Sequence, residues 1–249
     1  PYMAVPYGKA LSDVVIPNTV TKALRTDKYF KNDLSGFTIR EYRNYAPLQE
    51  QIKTIKSFEK PVILVDDFLH NGQRLNYIAP LIKDEGIDLR KVIVGVLTGR
   101  ALDTMKERGI SVDGAYFLPD ISIWINEHDS YPFFGGDSLE LVDDSKEHRT
   151  INLMLPYTTF SFVGENDMDK VYKYSITCLE NARDILRILE QEYQAEYGRK
   201  LTQSQLGAVI SRPCTPMLPP GLEYDSSFAA SDFIENDISR AERLHMFKK

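Results

Sequence analysis

Short apolar runs separated by stretches with helical spacing dominate the middle of the chain. Three apolar runs predict strands, over residues 62–66, 91–97 and 114–118. Two stretches between them have helical spacing, over residues 73–85 and 101–108. The first two runs are apolar without interruption, which is typical of strands buried on both faces of a parallel sheet. The order strand, helix, strand, helix, strand therefore predicts an α/β fold with a doubly wound, mainly parallel sheet and helices on both faces.

The pattern is weaker on both sides of this region. Residues 1–17 look irregular, and residues 119–149 form an excursion rich in aromatic and acidic residues. The other predicted elements are a helix from a cap at Asn18 or Thr19 to about Lys28, a strand over 37–42, a helix from Pro47 to about Phe58 and a strand pair over 152–162.

The chain becomes helical in pattern from residue 167. Helices are predicted over 171–197, 203–210 and 231–247, with a proline-rich segment before the last one. We therefore predict two parts: an α/β domain over residues 1–165 and an all-helical extension over residues 166–249. The long amphipathic pattern over 171–197 could support a homodimer, although such a helix more often packs on its own sheet.

Composition excludes several classes of protein. The net charge of -6 argues against nucleic acid as a partner, because phosphate backbones require a basic surface. No apolar run approaches the roughly 18 residues of a membrane span. Two distant cysteines give neither a disulfide framework nor zinc spacing, so a cytoplasmic location is expected. The chain opens with Pro1 instead of Met, which leaves room for an additional domain outside it.

Two adjacent acids, Asp66 and Asp67, end the first apolar run, and a loop with one glycine, Gly72, follows. Adjacent strand residues point to opposite sides. One carboxylate could therefore reach sugar hydroxyls while the other holds Mg²⁺ or its waters. Backbone N–H groups of the loop and the following helix N-terminus could hold a phosphate, with Arg74 adding a charged contact. The alternative is a plain strand end followed by a turn.

Residues 61–75 (Pro-Val-Ile-Leu-Val-Asp-Asp-Phe-Leu-His-Asn-Gly-Gln-Arg-Leu) resemble the phosphoribosyl-diphosphate (PRPP) binding motif of the type I phosphoribosyltransferases. The resemblance covers roughly residues 40–140 and is specific only over 61–75. It implies transfer of ribose 5-phosphate from PRPP to a nitrogen acceptor, such as a nucleobase, with loss of diphosphate and with Mg²⁺ as cofactor.

The resemblance also implies roles for individual residues. Asp66 and Asp67 would bind ribose and the metal, with Asp67 also counted as catalytic. The 5′-phosphate would be held by the loop residues His70, Asn71, Gly72, Gln73 and Arg74. Two positions depart from the family, since Asn71 and Arg74 stand where hydroxyl-bearing residues commonly grip the phosphate. His70 stands where purine-type enzymes place an aspartate, and it is the candidate general base.

Four further residues are candidates, each with a structural alternative. Arg43 lies in the loop 40–47, which could hold the diphosphate or be a plain surface loop. Arg100 follows the second apolar run and could contact a base or phosphate, or pair with Asp103. Trp124 is similar to the aromatic residue that stacks on the base in purine phosphoribosyltransferases, but it could instead fill the core. Asp129 lies near where that family places an acid beside the metal.

A second function remains open beside catalysis. The same fold could bind PRPP or a nucleotide without chemistry, as a regulatory module of a larger protein that carries, for instance, a nucleotidyltransferase-like domain. A phosphatase of the haloacid-dehalogenase kind needs an acid two residues after its nucleophile, and Phe68 and Leu69 occupy those positions here. The glycine-rich loops of Walker and dinucleotide-binding type are absent.

Overall fold

The computed structural model describes residues 1–8, 11, 13–121, 125, 127–140, 148–158, 167–218 and 222–246. Contacts within the chain divide it into two compact units. The first unit comprises residues 1–29 and 37–124, and the second comprises residues 30–36 and 125–249. The predicted boundary at 165/166 lies outside the described residues.

The first unit begins with four strands and then alternates helices and strands. Its elements are β1 (Met3–Pro6), β2 (Val20–Thr21), β3 (Thr26–Phe30, whose last residue counts with the second unit), β4 (Phe37–Glu41), α1 (Leu48–Lys56), β5 (Val62–Leu69), α2 (Gln73–Asp84), β6 (Leu89–Thr98), α3 (Gly99–Glu107) and β7 (Val112–Leu118). The predicted α/β class is confirmed by this order of elements. The three strands and two helices predicted between residues 62 and 118 are all present, with ends shifted by a few residues.

A five-stranded sheet forms the centre of this unit, in the order β2-β1-β5-β6-β7. Every neighbouring pair is parallel. The chain passes from β1 to β2 on one side and from β5 through β6 to β7 on the other. The connections therefore diverge between β1 and β5. In open parallel sheets, ligands bind outside the carboxyl ends of the strands at such a switch point.

Alternating burial along the strands builds the core of the first unit. Val62 and Leu64 of β5 and Val92 of β6 are fully buried. Helices cover them with residues at helical spacing: Ile52 and Ile55 from α1, Ile78 and Ile82 from α2, and Ala101 and Met105 from α3. Each such aliphatic side chain contributes about 1.5–3 kcal/mol through removal from water.

Defined caps fix where α2 and α3 begin and end. Gly72, with φ 70°, precedes α2, and Gly86, with φ 69°, follows it. Thr98 begins α3 because its side-chain oxygen accepts the Ala101 N–H at 3.2 Å. Gly109, with φ 66°, follows the C-terminus of α3. Both helix N-termini therefore lie directly at the carboxyl ends of β5 and β6.

The N-terminal predictions need correction. Residues 1–17 are not all irregular, because Met3–Pro6 form β1 in the interior of the sheet, paired with β2 and β5. The helix predicted to end at Lys28 is absent, and β2 and β3 lie there instead. The β-branched pair Val20-Thr21 favours an extended chain. Its pairing with Met3 and Ala4 stabilises a strand there instead of a helix.

The second unit combines short strands with long helices. It contains 3₁₀ helices at Glu127–Ser130 and Gln203–Ala208, strands β8 (Asp137–Leu139), β9 (Arg149–Ile151) and β10 (Thr215–Pro216), and helices α4 (Met168–Tyr197) and α5 (Ala230–Met246). β9 pairs antiparallel with β8 and parallel with β10. Within the same unit, the Glu140 N–H donates to the Phe30 carbonyl at 2.7 Å.

Helices α4 and α5 pack against each other, and α5 carries a buried carboxylate. Asp237 of α5 is fully buried. It accepts hydrogen bonds from the Tyr157 hydroxyl at 2.8 Å, the Tyr224 hydroxyl at 3.3 Å and the Arg240 guanidinium at 2.6 Å. A buried charge needs such partners to offset its lost hydration. This one group therefore joins three segments of the second unit.

Two predictions for this part of the chain are corrected. The extension from residue 166 is not all-helical, because β10 lies within it. Thr215 and Met217 donate to the carbonyls of His148 and Thr150, while Pro216 has no N–H to offer, as is common on an edge strand. The strand pair predicted over 152–162 is absent up to residue 158, where turns follow β9; residues 159–162 lie outside the described part. None of the helices in the described ranges is long and apolar enough to cross a membrane.

Candidate ligand site at the carboxyl edge of the parallel sheet

The acidic pair lies inside β5, which continues to Leu69 instead of ending at Asp66 as predicted. Pairing with β6 extends the strand, with Asp66 opposite Val94 and Leu69 opposite Leu97. The side chains alternate as expected for a strand. Asp66 is only 6% exposed and shares the side of the buried Leu64, whereas Asp67 is exposed. The two carboxyls therefore have different surroundings.

Burial dominates the chemistry of Asp66. Loss of hydration raises the pKa of this carboxyl to about 8, with the neighbouring Asp67 adding to the shift and the Arg74 guanidinium opposing it. Within the protein, Oδ1 of Asp66 accepts the Asp67 backbone N–H at 3.0 Å. The group therefore has acceptor capacity left for a cation, a sugar hydroxyl or a further donor.

Strand β1 brings Tyr7 and Gly8 to the acidic pair. The Tyr7 N–H donates to the Val65 carbonyl at 3.1 Å, which continues the pairing of β1 with β5. A Cβ at Gly8 would lie 1.7 Å from Oδ1 of Asp66, so only glycine leaves room for this carboxyl. Tyr7 is fully buried, and burial together with the charge of Asp66 raises the pKa of its hydroxyl.

Short-range contacts within the protein shape the loop after β5. The His70 ring stacks on Phe68, with ring centroids 5.9 Å apart. The His70 carbonyl accepts the Thr98 hydroxyl from the end of β6, so the two strand ends are tied together. Asn71 accepts the Gln73 N–H at 3.2 Å through its side chain. These contacts hold the loop in place at the edge of the sheet.

Gly72 and Arg74 govern the start of α2. Gly72 has φ 70°, which favours glycine, and a Cβ there would lie 2.6 Å from the Met105 methyl group, so the end of the Met105 side chain would have to shift. Gly72 has no side chain that could cap α2. Backbone N–H groups in the first turn of α2 therefore remain for other acceptors. The Nε of Arg74 and the Oδ1 of Asn76 are buried without a hydrogen-bond partner among the described residues. This end of α2 thus carries donors and a positive charge next to the acids.

The fit of the site to Mg²⁺ depends on the ligand. No group of three or more His, Cys, Asp or Glu side chains is placed to hold a metal in the part of the chain that the structure describes. Mg²⁺ commonly uses one or two carboxylates and takes its other ligands from water and substrate phosphates. Asp67, which is exposed, and the less accessible Asp66 suit that arrangement. The acids present therefore fit a cation that arrives with a phosphorylated ligand.

The remaining predicted residues are distributed over both units. Arg43 is exposed after β4, a strand that lies outside the parallel sheet and neighbours β3. Arg100 is exposed in the first turn of α3, at the carboxyl end of β6, and forms no ion pair with Asp103. Trp124 lies outside the described residues. Asp129 is buried in a 3₁₀ helix of the second unit.

Sequence reasoning missed three residues of this site. Tyr7 and Gly8 were passed over because β1 has only four residues and ends in Pro6. The Thr98 side chain was not recognised as an anchor, although a threonine before a helical pattern is a common cap signal. What joins these residues to the acidic pair is the pairing of β1 and β6 with β5, which is not local in sequence.

Comparisons with known proteins add no assignment to this geometry. No protein-family model matches the chain, and a search of the curated proteins finds no match to it. The chemistry of the site therefore has to be argued from the residues that the fold brings together.

Proposed function

We propose that the first unit binds PRPP and transfers its ribose 5-phosphate to a nitrogen of a nucleobase or related acceptor, on a doubly wound fold of the type I phosphoribosyltransferase kind. One observation carries the proposal. The Asp66-Asp67 pair lies near the carboxyl end of β5, beside the β1/β5 switch point, and the loop after it leads directly into the N-terminus of α2. Two acids and a phosphate-binding helix end are what a sugar phosphate requires.

Each part of the site has a role in this proposal. The ribose hydroxyls donate to Asp66 and Asp67, which are acceptors when ionised. The 5′-phosphate lies on the loop from His70 to Arg74, where backbone N–H groups and the guanidinium of Arg74 neutralise its charge. Arg100, exposed at the next strand end, adds positive charge on the same edge. Mg²⁺, when bound, would neutralise the diphosphate as it leaves.

Electrostatics would supply most of the rate enhancement. Phosphoribosyl transfer builds positive charge on the ribose carbon as the bond to diphosphate breaks, so carboxylates beside the ring stabilise the transition state. Asp67 is exposed and can face the ligand. His70 is the candidate base that takes a proton from the acceptor nitrogen, because a neutral imidazole has a ring nitrogen that can accept one.

Binding without catalysis is the second candidate function, and one contact favours it. The side chain of Asn71 accepts the Gln73 N–H at the start of α2. A phosphate on this loop would have to compete with that internal bond, since it would use the same donor. A loop with this internal hydrogen bond suits weaker, reversible binding of a ligand, such as a nucleotide that a regulatory module senses.

Calorimetric titration with PRPP, in the presence and absence of Mg²⁺, tests the proposal directly. Diphosphate release is then measured with a mixture of nucleobases. We expect Mg²⁺-dependent binding that Asp67→Asn weakens at least tenfold, while the matched variant Asp103→Asn, exposed on α3, binds as the wild type does. Binding with release supports a transferase, and binding without release supports the regulatory alternative. No binding at about millimolar PRPP would refute the transferase and any regulatory role that uses PRPP.

A further inference from the structure

Three elements of the first unit bring together the Tyr7 phenol, the Asp66 carboxyl and the Arg74 guanidinium. Tyr7 follows β1, Asp66 belongs to β5, and Arg74 lies in the first turn of α2. The charges of Asp66 and Arg74 both act on the Tyr7 hydroxyl, and Arg74 also acts on Asp66. Tyr7 is 0% exposed and Asp66 is 6% exposed. A ligand on the edge of the sheet would therefore meet Asp66 and Asp67, with Tyr7 behind them.

The hydrogen bonding of this cluster is incomplete. The Tyr7 hydroxyl and the Arg74 Nε are buried, and neither has a hydrogen-bond partner among the described residues. Besides burial, the nearby Asp66 carboxyl raises the pKa of the Tyr7 hydroxyl through its charge and their side-chain contact, although this contact does not reach full hydrogen-bond geometry. Within the described residues, Oδ1 of Asp66 accepts the Asp67 N–H. The Tyr7 hydroxyl and the Arg74 Nε thus lack acceptors although a carboxyl that could accept more hydrogen bonds lies beside them. Such unsatisfied groups are energetically costly in a core.

We propose that Tyr7 is a positioning residue whose hydroxyl donates to Asp66 only when a ribose phosphate occupies the site. This inference rests on the proposed function. In the ligand-bound protein, Asp66 turns towards the sugar hydroxyls, and its other oxygen accepts from Tyr7. Gly8 permits the movement because it places no side-chain atom against the Asp66 carboxyl. Tyr7 acts on the ligand through Asp66 and does not contact it.

This role predicts opposite effects on stability and on affinity. In the free protein the Tyr7 hydroxyl has no hydrogen-bond partner of full geometry among the described residues, so Tyr7→Phe removes a poorly satisfied buried group and should leave the melting temperature unchanged or raise it. In the complex, the same change removes a donor to the Asp66 carboxyl. Affinity for PRPP should then fall about tenfold, because a buried acceptor that loses its donor is left without its hydration and without a partner.

Four full-length proteins provide the test: wild type, Tyr7→Phe, Asp66→Asn and the double variant. Each is melted without ligand and titrated with PRPP and Mg²⁺, and with ribose 5-phosphate. Tyr77→Phe, an exposed tyrosine on α2, is the matched control and should change neither quantity. If Tyr7 acts through Asp66, Tyr7→Phe should add no further loss of affinity in the Asp66→Asn background.

Distinct results separate failure of this inference from failure of the proposed function. Equal affinity of the wild type and Tyr7→Phe overturns the inference alone. A lower melting temperature of Tyr7→Phe without ligand also overturns it, because the hydroxyl would then stabilise the free protein. Full additivity with Asp66→Asn overturns the route through Asp66. Absence of binding by the wild type overturns the proposed function, and this inference with it.

Discussion

The Thr98 side chain offers a sharp test of how the site is held, because one hydroxyl serves two strand ends. Thr98 is 1% exposed. Its oxygen donates to the His70 carbonyl and accepts the Ala101 N–H at the start of α3. Thr98→Val keeps the shape of the side chain and suits the extended backbone of the residue, with φ -93° and ψ 158°. Only the hydroxyl is lost.

The expected cost follows from these two hydrogen bonds. Loss of a helix N-cap destabilises by about 1 kcal/mol. The His70 carbonyl also loses its donor, which costs about 1–3 kcal/mol when the group cannot be rehydrated. We therefore expect Thr98→Val to lower the free energy of unfolding by about 2–4 kcal/mol. The loop after β5 should loosen as well, with weaker PRPP binding as a result.

Urea denaturation followed by circular dichroism measures this change, and Thr98→Ser is the matched control. Serine keeps both hydrogen bonds and loses one buried methyl group, at about 1 kcal/mol. Amide hydrogen exchange at Ala101 should become faster in the valine variant and stay slow in the serine variant. A valine variant as stable as the serine variant, with unchanged exchange, would refute the reasoning.

Three further predictions concern the acidic pair and its loop. Asp67→Asn should leave the free energy of unfolding within about 0.5 kcal/mol of wild type, since the side chain is exposed, so any loss of PRPP affinity reports on the site; marked destabilisation would contradict this. Because the pKa of Asp66 is raised from 3.8 to about 8, the folded protein binds its proton more tightly than the unfolded chain does. Stability should therefore fall as pH rises from about 4 to 8, by at most about 1.4 kcal/mol per pH unit, and urea titrations should show a flatter profile for Asp66→Asn; parallel profiles would contradict it. Gly72→Ala should lower the melting temperature more than Gly86→Ala does. Both glycines have positive φ, but only a Cβ at Gly72 would press against Met105. Equal decreases in melting temperature would contradict the contact.

The sequence allowed the central part of the first unit to be predicted because its signals are local. Residues 62–69 and 89–98 are largely apolar runs, and glycines mark the ends of the helices between them. The acidic pair and the loop glycine were visible for the same reason. Strand alternation placed the two acids on opposite sides of the strand, but it did not tell which of them is buried.

The rest of the site depends on pairings that no local pattern reveals. β1 is four residues long, and its place beside β5 decides that Tyr7 and Gly8 meet Asp66. Arg43 was assigned to a diphosphate loop because a strand precedes it, but that strand does not belong to the parallel sheet. Strand order is set by long-range contacts, so the sequence predicted the elements better than it predicted their neighbours.

The shared carboxylate of Asp237 has a consequence for synthesis of the chain. Its hydrogen-bond partner Tyr157 precedes it by 80 residues. The two long helices pack against each other as well, so on the ribosome the face of α4 that contacts α5 stays uncovered until α5 has emerged, whereas residues 1–29 and 37–124 of the first unit have already been synthesised. We expect nascent chains that stall before residue 230 to contain a folded α/β unit followed by a helix with an exposed apolar face. Chaperones bind segments of this kind.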